Sequence, residues 1–205
     1  MSFLRLDYQS SVLADDKLPA LNYRQHAFQR IPQTFPETPL RPSRLSAAGS
    51  LTPLVGVILR ILAAMAKTNW GPCARVSLPQ EDITCLDDAI NMALKNGPIV
   101  PHDDKAMGGD DILWGRTGLL WILLNVRAHQ FSEETQKALA PVMAKIPDLV
   151  RVIIDAGRQG SKDYIQKHGD QDAHPLMYEW VIGHYFFGAL VCPGLMYLCP
   201  VLINI

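Results

Sequence analysis

Apolar residues in this chain recur at helical spacing or in long blocks. No stretch alternates apolar and polar residues with period two, so the pattern predicts helices with minor sheet. The first block, Leu54 to Ala66, lies within SLTPLVGVILRILAAMA. Ser50 or Thr52 can cap it, Pro53 suits the first helical turn, and the near-continuous apolar content predicts a buried helix. It is shorter than the roughly 20 apolar residues of a membrane span and contains Arg60, so it reads as a core helix. Leu86, Ile90 and Leu94 in LDDAINMALKNGP follow at intervals of four and predict an amphipathic helix, stopped by Gly97 and Pro98. The stretch PIVPHDDKAMGGDD, Pro98 to Asp111, is turn chemistry leading into ILWGRTGLLWILLNVRAHQ, an apolar helix. Ser132 caps the acidic start of SEETQKALA, and IPDLVRVIIDAG sets Leu149, Val152, Ile153 and Ala156 on one face before Gly157. These last two segments predict half-exposed outer helices.

A second pattern overlies the first. Glycine opens or sits early in the most apolar segments, at Gly56, Gly118 and Gly194, while the helices between them are amphipathic. The expected architecture is inner helices wrapped by outer ones, with glycines that let backbones approach and turn helix N-terminal amides towards a cavity. Residues 1–48 carry Pro32, Pro36, Pro39 and Pro42 among polar residues, which predicts a lead-in arm ahead of a helical domain over 49–205. From Val181 to Ile205 there is no Lys, Arg, Asp or Glu. Such a run reads as a membrane anchor or as a helix covered by neighbours. Pro193, Gly194, Pro200 and the missing flanking Lys and Arg disfavour the membrane. Left uncovered, the run calls for a protein partner.

Composition narrows the classes. A chain of 205 residues can bury one sizeable core, and a net charge of -1 gives no reason to expect nucleic acid as a partner. Four cysteines, Cys73, Cys85, Cys192 and Cys199, are too few for a disulfide framework, and the amino terminus lacks a signal-peptide core. A cytoplasmic address with reduced thiols is the expectation.

Candidate chemistry is sparse. Cys192 and Cys199 share a helical face with His184 eight residues before Cys192, a zinc-like donor set without an evident fourth ligand; the alternative is two buried thiols. His168, Asp170, Asp172 and His174 in HGDQDAH, and His102, Asp103 and Asp104 in PHDD, read as cation sites or as solvated loops. Arg116 and Glu179 sit beside tryptophan and apolar residues, where a buried charge needs a partner; pairing or capping that holds helices together is the simpler role. No Ser-His-Asp order, phosphate loop or dinucleotide fingerprint is present.

The stretches GGDDILWGRTGLLWILLNVR (Gly108 to Arg127) and HPLMYEWVIGHYFFGA (His174 to Ala189) resemble the lanthionine synthetase C-like (LanC-like) family, its eukaryotic branch in particular. Trp114, Gly115, Arg116 and Gly118 match the family's aromatic-Gly-Arg-x-Gly motif on one inner helix. Leu176, Met177, Tyr178, Glu179, Trp180, Gly188 and Ala189 match the Leu-Met-Tyr-Glu-Trp segment that leads into Gly-Ala-Ala-His-Gly on the next. GSLTPLVGVILRIL resembles a divergent first repeat through Gly49, Thr52 and Gly56.

The resemblance implies an all-α fold, a partial α/α toroid of helical hairpins covering about half of a seven-hairpin barrel. In that family zinc activates a thiolate for addition to a dehydroamino acid; bacterial members close thioether rings and animal relatives use glutathione. The family's zinc-ligand motifs, Trp-Cys-His-Gly and Cys-His-Gly, do not occur in this sequence, and where the family has Gly-Ala-Ala-His-Gly this chain reads Gly188, Ala189, Leu190, Val191 and Cys192, without the histidine. The expectation is therefore a truncated or divergent member with no catalytic residue and no metal ligand of its own. Gly115, Arg116, Gly118, Tyr178, Glu179, Trp180 and Gly188 would be structural or pocket positions, and the ligand a peptide or a glutathione-like thiol. The alternatives are a non-catalytic binding or scaffold protein and a tail-anchored membrane protein.

Overall fold

A computed structural model describes residues 53–68, 75–95, 100–102, 105–107, 110, 115–181 and 184–186, with isolated positions at 29, 31 and 40. Side chains are described over 54–65, 75–95, 110 and 115–178, and at the isolated positions. Helices dominate: α1 (Pro53–Thr68), α2 (Gln80–Lys95), α3 (Arg116–Arg127), α4 (Glu133–Ala144) and α5 (Ile146–His168). Two short antiparallel ladders complete the described part, β1 (Val100–His102) with β2 (Lys105–Met107) and β3 (Tyr178–Val181) with β4 (His184–Phe186). The fold is all-α in class, with the minor sheet that the missing period-two pattern predicts.

Local chemistry sets most boundaries. Pro53 is the first residue of α1, where its lost N–H costs nothing. Ser132 caps α4, its Oγ accepting from the Thr135 N–H at 3.4 Å, with Glu133 and Glu134 in the first turn. Ahead of that cap, Val76 pairs with Phe131, Ser132 N–H donates to the Val76 carbonyl (2.9 Å), and Thr135 Oγ1 accepts from the buried Leu78 N–H (3.1 Å). The start of α2 and the start of α4 are thereby sewn together.

One core unites the helices. Leu54, Val57, Ile58 and Ile61 of α1, Leu86 and Ile90 of α2, Leu119, Leu120, Ile122 and Leu123 of α3, and Leu149 and Ile153 of α5 are all essentially inaccessible to water. α2 packs against α1, α3, α4 and α5. An amphipathic helix with a polar half was expected to lie outside. It lies at the centre because Cys85, Ala89 and Ala93 are small and buried beside the Leu86 and Ile90 ridge, so neighbours approach it across a broad arc. Lys145, at the corner between α4 and α5, reaches back to Asp87 (2.6 Å) and Asn91 (2.7 Å) on the exposed side of α2.

Two expectations differ from the structure. Gly157 does not end a helix: α5 continues to His168, and Gly169, at φ 90°, closes it in the left-handed region that favours glycine. Leu149, Ile153 and Ala156 are buried as expected, whereas Val152 is partly exposed. Tyr178, Glu179 and Trp180, read as a segment leading into an inner helix, form strand β3. The chain there is drawn out along α5 by hydrogen bonds to it, and β-branched and aromatic residues suit that extended path. Of the charge-free run read as a membrane anchor or a covered helix, Val181 ends β3 and His184–Phe186 form β4, and the rest lies outside the described residues. No helix among the described residues is long and apolar enough to cross a membrane.

Candidate functional site

The two family-like stretches are separate in sequence, and α5 carries part of each, α3 from the first and β3 from the second. α3 packs on α5, and β2, which runs just before Asp110, lies beside β3. This junction is the candidate site.

Its first half is the start of α3. Gly115 is the N-cap, buried and extended (φ -106°, ψ -167°), with no side chain to cap the helix. The Gly115 carbonyl accepts the first bonds of the helix, from the Gly118 N–H at 3.2 Å and the Leu119 N–H at 3.4 Å. Arg116 is the first helical residue and is wholly buried, as is Asp110. Arg116 Nε–H donates to Asp110 Oδ1 (2.5 Å) and an Nη2–H to Oδ2 (2.6 Å), a two-point fork. Thr117 Oγ1 donates to the Asp110 carbonyl (2.5 Å), so Asp110 is held by main chain and side chain at once. Burying a guanidinium is tolerable only with such a partner, and planar Arg matches a carboxylate with two parallel bonds. A cation at a helix N-terminus is also unfavourable to the dipole, and the carboxylate offsets it.

The second half is the face of α5 around Gly157, Gly160 and Ser161. The segment ending in Tyr178 crosses this face: Met177 N–H donates to the Gly157 carbonyl (2.9 Å), Ser161 Oγ to the His174 carbonyl (2.5 Å), and Tyr178 Oη to the Ile153 carbonyl (3.2 Å). A Cβ at Gly157 would lie 2.6 Å from the Tyr178 ring tip, and one at Gly160 would overlap the Met177 carbonyl. Glycine is needed at both positions because another chain occupies the space a side chain would take. Tyr178 joins the hydrophobic core there, 6% exposed.

Of the family-motif positions, Gly115, Arg116, Gly118 and Tyr178 are thus buried and structural in their contacts. Glu179 and Trp180 lie in β3 with side chains outside the described residues, and Gly188 is outside them altogether. Trp114, Asp103, Asp104, Cys73, Cys192 and Cys199 are likewise outside, while His102 and His184 have only their strand positions described, in β1 and β4. His168 lies against Tyr164 (ring centroids 4.9 Å apart), and Asp170, Asp172 and His174 are exposed. Among the described residues no three His, Cys, Asp or Glu side chains gather in a way that could hold a metal ion.

Three features escaped the sequence. Asp110 reads there as one more turn residue. Arg60 and the wholly buried Asp82 form a second ion pair, joining α1 to α2 through Nε (3.2 and 3.3 Å) and Nη2, and that hydrogen bond raises the Arg60 pKa further. Cys85, one turn along from Asp82, is buried, and desolvation pushes its thiol up to about 11. The third is the α5 seat, whose signal was small residues at 157, 160 and 161 on a single helical face.

Comparison with known proteins gives one informative match: the chain is 33% identical over 112 residues, 54% of its length, to the glutathione S-transferase LANCL1 of Danio rerio. The match spans a quarter of that protein's length. No family model matches the chain, and no solved structure matches it. The chain is therefore similar to a LanC-like protein over about half its residues.

Proposed function

We propose that this chain is a LanC-like protein that takes a thiol ligand, glutathione or a cysteine-bearing peptide, at the junction of the α3 start and the β3–β4 hairpin. The observation that carries the reading is that the two stretches resembling the family, distant in sequence, are both attached to α5, through α3 and through β3, and are each fixed by buried polar bonds. The similarity to a glutathione S-transferase supports the choice of ligand. A partial toroid, with α1 to α5 as successive members of its helical hairpins, is the architecture this reading carries.

Thiol addition needs a thiolate, and the described residues do not provide for one. Cys85 is buried and its thiol is pushed up to about 11, the reverse of what a nucleophile needs. The described donor set does not fit zinc either, since structural and catalytic zinc take at least three protein ligands and no such group is formed. No zinc-dependent step is derived from these residues, and the role proposed is binding of the thiol ligand. The test is a calorimetric titration of the full chain with glutathione, with and without equimolar zinc, followed by mass spectrometry of a dehydroalanine peptide incubated with both. Saturable glutathione binding without conjugation is the expected result. Absence of binding under both conditions overturns the reading, and zinc-dependent conjugation overturns a role in binding alone.

A further inference from the structure

The α5 face at Gly157, Gly160 and Ser161 is more than a place where the chain happens to pass. It offers the crossing segment a main-chain acceptor at Gly157, a hydroxyl donor at Ser161 and the Ile153 carbonyl one turn earlier, and each is taken. The three bonds lie at successive points along His174 to Tyr178, so they fix both the height of the segment on the helix and its direction. Gly160 has no room for one carbon more, since the atom it would meet belongs to backbone and cannot swing away. Gly157 is different, because its neighbour is the tip of the Tyr178 ring. β3 begins at Tyr178, the last residue fixed in this way, and pairs at once with β4 in the register Tyr178↔Phe186 and Glu179↔Tyr185. Whatever Glu179 and Trp180 do, their place is set from α5.

We infer that Gly160 and Ser161, with Gly157, are positioning residues: this seat on α5 places β3 of the hairpin beside β2, the strand just ahead of Asp110, and ligand affinity at the proposed site depends on it. The inference rests on the proposed ligand site. It predicts that loosening the seat weakens binding without loosening the core, because the helices hold one another through α2 and the strand is held by α5.

The test compares wild type, Gly160→Ala and Ser161→Ala as full chains, by amide hydrogen exchange and by glutathione calorimetry. Ser161→Ala adds no atoms, so it keeps the question open if Gly160→Ala does not fold. The expected result is exchange at least tenfold faster in peptides spanning 177–186 for Gly160→Ala, and faster by a smaller factor for Ser161→Ala. α2 amides should be unchanged, and glutathione affinity should fall about tenfold alongside, near 1.4 kcal/mol. Unchanged hairpin exchange in both variants overturns the inference. So does a loosened hairpin with unaltered glutathione affinity. If wild type binds no glutathione, the ligand reading is lost, and the seat is upheld or overturned by the hairpin exchange alone.

Discussion

Asp110 and Arg116, six residues apart in sequence, meet side by side with both side chains wholly buried and two hydrogen bonds between them. The pair joins the turn before α3 to the helix itself. Removing the Asp110 charge takes from the buried guanidinium its two-point carboxylate, so Asp110→Asn is expected to destabilise the fold by about 3–5 kcal/mol. Arg116→Lys keeps the charge and loses the fork, and its cost should fall below that value but stay measurable. The joint replacement Asp110→Leu with Arg116→Met should recover much of the loss, since a matched apolar pair carries no desolvation cost. Urea unfolding of the four proteins checks the order; equal stability of wild type and Asp110→Asn would contradict it.

Arg60 and Asp82 link α1 to α2, and Asp82 is the more deeply buried partner. Truncating Arg60 to Met strands a buried carboxylate, so it should cost more than replacing both residues with apolar ones. A double-mutant cycle on thermal unfolding should give a coupling energy of about 0.5–3 kcal/mol. Additive losses would show that the two side chains do not support one another.

Cys85 gives a pH signature. Its thiol is raised in the folded chain from an ordinary 9.0 to about 11 by burial, so the folded state keeps a proton that the unfolded state releases between those values. Its contribution to stability is full below about pH 9 and is lost as pH rises towards about 11. The stability of wild type should fall across that window by more than that of Cys85→Ala, measured by denaturant unfolding at successive pH values. Native Cys85 should also resist alkylation until the chain opens. Parallel pH profiles for the two proteins would contradict the assignment.

Much of the architecture was legible because helices announce themselves locally. Pro53 at the start of α1, Ser132 as a cap and the Leu86–Ile90 spacing each act within a turn or two, and the structure places them as their chemistry requires. What was not legible depends on contacts between distant segments. Gly157 reads as a stop because glycine usually ends helices, yet its carbonyl serves Met177 and its missing side chain serves Tyr178. Asp110 looked like loop chemistry because nothing local distinguishes a turn aspartate from one buried against Arg116. The central place of α2 was hidden for a related reason: small residues such as Ala89 and Ala93 weigh little in an apolar pattern but decide how closely helices approach. At the candidate site Gly115, Arg116, Gly118 and Tyr178 stood out in the sequence, while the groups they meet, Asp110 and the α5 seat, did not.

The central claim is that a thiol ligand sits between the α3 start and the β3–β4 hairpin. The most direct measurement is amide hydrogen exchange across the whole chain with and without saturating glutathione. The account predicts slower exchange in peptides covering 115–127 and 177–186, with α4 amides unchanged. No change in those peptides, or protection confined to α4 and the exposed end of α5, would contradict it.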